Sequence, residues 1–163
     1  MKKELTPLIK GVITGLVMVV VTIILGEIPA LRDSKFLYLP YALYFGGIMW
    51  TLVKGAEASG FTGKFSELFG LGFRCFIIVT IIMVTYVGIF SFAHPEIAEQ
   101  RAVYHRQYLT EQKDDLPPEI ETKVQKAKDN FVITEMYSAI FGTMIIGAIF
   151  TLAGSTFVLM RRK

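Results

Sequence analysis

The sequence predicts an all-α, polytopic membrane protein: four transmembrane helices, with an extramembrane helical hairpin between helices 3 and 4. Three observations predict it. The 163 residues are 53% hydrophobic and 13% aromatic, with a mean hydropathy of +0.51. Uncharged runs lie at Gly11 to Gly26, Phe36 to Val53, Cys75 to Ala93 and Met136 to Met160. With their flanks they reach the roughly 20 helical residues that cross a hydrocarbon core of ~30 Å. Finally, one stretch is polar: "HPEIAEQRAVYHRQYLTEQKDD", from His94, with its continuation to Phe131, holds 14 of the charged residues and both histidines. A soluble core of this size could not hide four such runs, whereas lipid demands helices that satisfy their own backbone groups.

Span 1 is placed at about 8–28 of a single membrane domain, 1–163. Lys2 and Lys3 before an apolar run resemble a signal peptide, but no small-x-small exit follows, and Gly26-Glu27-Ile28-Pro29 reads as the end of a retained helix. Lys10 lies near enough to the interface to snorkel. "PALRDSK" leads to span 2, about 36–53, whose entry "FLYLPYALYF" carries the aromatic rings that favour headgroup level. Pro40 falls in the first helical turns, where a missing donor is tolerated. Phe61, Phe65, Phe69 and Phe73 then recur every fourth residue. Either the chain from about Thr62 lies along the membrane surface as an amphipathic approach, or Phe69 and Phe73 already begin span 3, about 68–93.

The hairpin is placed at about 94–131. Its first arm follows His94-Pro95 and has a thin apolar stripe of Ile97, Tyr104 and Tyr108. The second starts sharply: Asp115 can cap, Pro117 and Pro118 preset the first turn, and Glu119 and Glu121 suit the positive end of the helix dipole. Ile120, Val124, Ala127 and Phe131 share one face that needs no break before span 4, about 134–160. One continuous helix from about 118 to 160 is expected.

Lysine and arginine counts do not orient the bundle, since with both termini on one side each side holds eight. Their position does. Lys2, Lys3, Lys10, Lys54, Lys64, Arg161, Arg162 and Lys163 sit in short tails and one short loop, whereas six of the opposing eight are spread over the long polar segment, which translocates more easily. Both termini are therefore placed inside. The net charge of +3 and pI near 9.0 come from scattered residues, a pattern that suits anionic lipid headgroups and not nucleic acid. Cys75 stands alone, which excludes an intrachain disulfide and a zinc cluster. His94 and His105 would lie about 16 Å apart on one helix and cannot share a metal. No metal or cofactor is expected.

Intramembrane or interfacial charge marks candidate sites. Arg74 shares a face with Glu67, Gly70, Ile81, Thr85 and Gly88; it can snorkel, pair with Glu67 or Glu57, or hold a substrate or lipid headgroup. A structural role weighs more. Glu27 and Glu135 both belong near the outer surface and would form a proton or cation site only if they met. Glu135 also heads a row of Ala139, Thr143, Gly147, Thr151 and Ser155. With Gly11 and Gly15 on span 1, and Ala42, Gly46, Gly47, Thr51 and Gly55 on span 2, this row offers seams of small residues that let helix backbones approach in lipid. Packing within the chain is favoured over packing against a partner. No HExxH, GxSxG, phosphate loop or dinucleotide fingerprint is present, so no enzyme class has a motif to stand on.

A basic start with glycines in span 1, "SGFTGKFSELFGLGFR" before span 3, "HPE" after it, a polar segment and the tail "RRK" together resemble a family of small bacterial inner-membrane proteins catalogued as domain of unknown function 4199. The resemblance covers nearly the whole chain. It implies four spans in a bacterial inner membrane, no established activity, no catalytic residues, and a setting near glycosyltransferases of the polyprenyl-phosphate type; with both termini placed inside, the hairpin is then periplasmic. The reading that follows is a non-enzymatic accessory or interaction subunit of an inner-membrane assembly. Its partners would be membrane lipids and a membrane or envelope protein, or further copies of itself as a homo-oligomer. Two alternatives stay open: a small transporter or channel using Glu27, Arg74 or Glu135, and an accessory protein for polyprenyl-phosphate-linked sugar transfer.

Overall fold

The computed structural model describes residues 5–28, 35–112 and 116–161. Expectations that rest on Lys2, Lys3, Pro29, Arg32, Lys113, Asp115, Arg162 and Lys163 lie outside those residues. The described residues form six α-helices: α1 (Pro7–Glu27), α2 (Leu39–Glu57), α3 (Phe65–Ala93), α4 (Pro95–Gln112), α5 (Pro117–Asp129) and α6 (Phe131–Arg161), with a 3-10 turn at Lys35–Tyr38. Three of them, α1, α3 and α6, are long and apolar enough to cross a membrane. In α2, Pro40, Tyr41, Tyr44, paired glycines and Trp50 dilute the apolar character. Its inner face is nevertheless among the most shielded parts of the protein, with Tyr44, Ile48 and Leu52 fully buried.

The helix ends follow from local chemistry. Thr6 caps α1, its hydroxyl accepting from the Ile9 N–H, and Pro7 occupies the first turn, where its missing donor costs nothing. The turn before α3 passes through Gly63 at φ +82°, a conformation that a side chain would strain. From there α3 begins at Phe65, so the phenylalanine row is already helical: Phe65 stacks on Phe69 at 5.9 Å, and Phe73 meets Phe76 edge-on at 5.0 Å. Pro95 opens α4 one residue after α3 ends.

At the start of α5 the Glu119 carboxylate reaches back to the Leu116 N–H at 3.3 Å. One expectation for the polar segment is corrected: the helix expected to run unbroken from about 118 to 160 is interrupted at Asn130. There the side-chain amide donates to the Lys126 carbonyl, as the residue's own N–H also does; a short amide side chain competes for backbone acceptors and favours a helix end.

The chain divides into two compact units, one of residues up to Met83 together with Ile140 onward, the other Val84–Ala139. In the first, four helical stretches pack where side chains are missing. A Cβ placed on Gly47 of α2 would lie 2.2 Å from the Thr14 hydroxyl of α1, one on Gly11 would lie 2.7 Å from the Cys75 carbonyl of α3, and one on Gly15 would meet Ile82 at 2.9 Å. Across from these, α6 closes on α2 and α3: at Gly147 a Cβ would come within 2.2 Å of the Tyr44 hydroxyl and 2.9 Å of Phe76. Gly46, placed in the same seam by its spacing, has nothing within 4 Å. The second unit is held differently. Ala98, Ile120, Val124 and Phe131 are buried, and ion pairs join Glu99 to Lys128 at 2.9 Å and Arg106 to Glu121 at 2.6 Å. That order of pairing is the one antiparallel neighbours give.

These contacts set apart two glycines that look alike in sequence. Gly147→Val is expected to lower stability by about 1–3 kcal/mol, the usual cost of overpacking, whereas Gly46→Ala is expected to be neutral or slightly stabilising. Thermal unfolding in detergent, followed by circular dichroism, checks both.

Candidate functional site

A groove of about 380 Å³ opens in the first unit between the C-terminal end of α2 and the first turns of α3. Its walls are mostly small: Gly55, Ala58, Gly60, Ser66 and Gly70. Two charged residues line it, Glu67 and Arg74, two helical turns apart on the same face of α3. Glu67 is fixed, since its carboxylate accepts from the Thr62 N–H at 3.0 Å and the Thr62 hydroxyl at 2.6 Å. Arg74 is not. Its guanidinium makes no hydrogen bond or ion pair among the described residues; of the two carboxylates considered for it, Glu67 is bonded to Thr62 and Glu57 to Lys54 at 2.7 Å.

The remaining charged candidates lie elsewhere. Glu27 ends α1 and is exposed. Because α1 passes Cys75 of α3 at Gly11 and Ile82 at Gly15, the two helices run parallel, and Glu27 is about 24 Å further along at the standard rise. Glu27 and Arg74 therefore occupy opposite ends of that unit. Glu135 belongs to the second unit, where Arg101 holds its carboxylate while also lying 5.4 Å over the Phe131 ring. Several small-residue candidates sit in helix contacts: Gly11, Gly15, Gly47 and Gly147 as above, Thr143 as the carbonyl that accepts from the Tyr44 hydroxyl at 3.1 Å, and Thr151 fully buried against Gly72, whereas Ala42 is exposed.

His94 stacks on Phe90 at 4.3 Å, with Nδ1 2.9 Å from the Phe90 carbonyl. Among the described residues no group of three or more His, Cys, Asp and Glu is arranged to hold a metal ion. Cys75 is a buried free thiol.

A family model described as "Protein of unknown function (DUF4199)" matches residues 10–159. The chain belongs to that family. No curated protein and no solved structure matches it. Membership extends over every described helix of the DUF4199 chain and carries no catalytic or transport function with it.

Three features of the DUF4199 chain escaped the sequence reading. Gly72 and Gly154 make contacts as close as the seam glycines, at 2.5 Å to Thr151 and 2.7 Å to Leu52, but neither sits in a four-residue repeat of small side chains with the right neighbours. Lys10, expected to snorkel, is buried with its ammonium 5.5 Å over the Trp50 ring, a cation–π contact that joins residues forty apart in sequence. The pairing of Arg101 with Glu135 likewise depends on the fold and not on spacing.

An arginine without a protein partner contributes little to the fold. Arg74→Gln is therefore expected to shift stability by no more than about 0.5 kcal/mol. Gly63→Ala, in the turn that aims Thr62 at Glu67, is expected to cost about 1 kcal/mol. Chemical or thermal unfolding of the two purified variants separates these outcomes.

Proposed function

We propose that this protein is a non-enzymatic, four-span integral membrane protein that serves as an accessory or interaction subunit in a bacterial inner-membrane assembly. In this reading α2 is the fourth span, α4 and α5 form an extramembrane hairpin on the periplasmic side, and both termini are cytoplasmic. The observation that carries it is the contrast in what binds each unit together. The first is packed through glycines and buried apolar side chains, the means available to helices in lipid, where no hydrophobic drive separates helix from solvent. The second is laced by exposed ion pairs, Glu99 with Lys128 and Arg106 with Glu121, which belong in water.

Orientation draws support from the same packing. Lys10, Lys54, Lys64 and Arg74 gather at one end of the first unit, the end where α1 begins and α2 gives way to α3, and basic residues favour the cytoplasmic side. A partner surface is offered by α4, where Tyr104 and Tyr108 stand one turn apart, 74% and 57% exposed. Large rings left in water on a charged helix are the side chains that anchor protein contacts. A second copy of the chain or another envelope protein would supply the complementary face.

Because Cys75 is the single native cysteine and is buried, new cysteines report topology cleanly. A membrane-impermeant maleimide added to intact cells is expected to label Gln107→Cys and to spare Lys64→Cys; the reverse pattern overturns the orientation. For the partner, a photo-crosslinking residue at 104 or 108 is expected to capture one stoichiometric protein, and recovery of the lone monomer alone after gentle extraction counts against the accessory role.

A further inference from the structure

We infer that the groove at Arg74 is a binding site for a headgroup carrying a phosphate and a primary ammonium, the headgroup of an aminophospholipid. The inference rests on reading α3 as a membrane span. It starts from a guanidinium that lines a walled groove and has no hydrogen bond or ion pair among the described residues. A guanidinium presents five donors in a planar fork that matches phosphate oxygens, and such charge-assisted pairs are strong.

The groove holds a second charge of opposite sign. Glu67 is pinned by Thr62 through one bond to each oxygen, and a carboxylate has room for further donors. It therefore presents a fixed acceptor about 10 Å along the helix from Arg74, a gap that the arginine side chain narrows because helical side chains lean towards the N-terminus. An anionic headgroup alone would meet that carboxylate unfavourably. A headgroup with both charges satisfies the pair.

Depth agrees with the assignment. Glu67 lies in the first turn of α3, next to the polar turn at Thr62 and Gly63, while Arg74 lies two turns further in. The ammonium would sit outward and the phosphate inward, with the acyl chains running on along the same face past Ile81, which is 56% exposed. The groove is open because its walls are small, and Gly70 has nothing within 4 Å of where a Cβ would stand. A side chain added at Gly70 would thus fill the site without disturbing a helix contact.

The test is native mass spectrometry of the full chain, purified in detergent, delipidated and offered phosphatidylethanolamine, phosphatidylcholine, phosphatidylglycerol or soluble O-phosphoethanolamine. Phosphatidylethanolamine is expected to be retained about tenfold more than the other three, the scale of one charged hydrogen bond. Arg74→Gln and Gly70→Leu should each abolish that retention while keeping the parent's unfolding midpoint, and Glu67→Gln should erase the preference for the primary amine over its trimethylated form. Equal retention of the three lipids, or undiminished binding in Arg74→Gln or Gly70→Leu, overturns the site. Soluble O-phosphoethanolamine binding as tightly as the lipid overturns the lipid as its source. Failure of the membrane reading shows separately, as a chain that stays monodisperse without detergent before any lipid is added.

Discussion

Close approach of helix backbones is the constraint on which the first unit rests. Where a Cβ would fall 2.2 Å from another residue's side chain, as at Gly47 and Gly147, the neighbouring helices can keep their distance only so long as hydrogen occupies that place. In water, burial of apolar area would reward many looser arrangements. Among lipid tails it rewards none, so what remains is the dispersion energy of surfaces that fit. Each glycine admits specific neighbours: Thr14 into Gly47, Tyr44 and Phe76 onto Gly147, Thr151 and Leu52 against Gly72. The register of α1, α2, α3 and α6 follows from these insertions.

Several polar side chains inside this unit are settled by their own helices, while the buried hydroxyls of Thr80, Thr151 and Ser155 have no hydrogen-bond partner among the described residues. The Thr14 hydroxyl donates to the Lys10 carbonyl at 2.8 Å, Thr51 to Gly47 at 3.0 Å, and Thr22 to Met18 at 2.8 Å. A hydroxyl returned to the preceding turn removes an unsatisfied donor without a tertiary partner. Arg74 differs from all of these in carrying a charge. Its charge cannot be absorbed by the helix that carries it, which is why the groove beside it draws attention as a place for something from outside the chain.

Most of the helical layout was legible because long uncharged runs and the one polar stretch are signals of composition, and composition survives without knowledge of contacts. α1 is Pro7–Glu27 and α3 is Phe65–Ala93, beside the stretches of about 8–28 and 68–93 that proline, glycine and hydropathy suggest. Asn130 was missed because its neighbours keep a helical apolar face, and the competing bond from its amide to Lys126 is a local choice that periodicity does not record. The seams were half legible. Gly11, Gly15, Gly47, Gly147 and Thr151, singled out by spacing, lie at helix contacts, but spacing could not tell Gly46 from Gly47, adjacent residues facing different directions, nor find Gly72 and Gly154. For the candidate site, the sequence named Arg74 and Glu67, with a pair between them as one of several open roles. Thr62, five residues before Glu67 and across a turn that needs a positive φ, had already claimed the carboxylate.

The bond from Tyr44 to the Thr143 carbonyl has a consequence for how the chain is made. Its two ends are separated by 99 residues, so at ~5–20 residues per second a ribosome needs on the order of 10 s to deliver the acceptor after the donor has emerged. The hydroxyls of Thr14, Thr22 and Thr51 find acceptors within their own helices as soon as those helices form, whereas the acceptor that Tyr44 uses arrives only with the last helix. The final seating of α2 is in this way coupled to the arrival of α6.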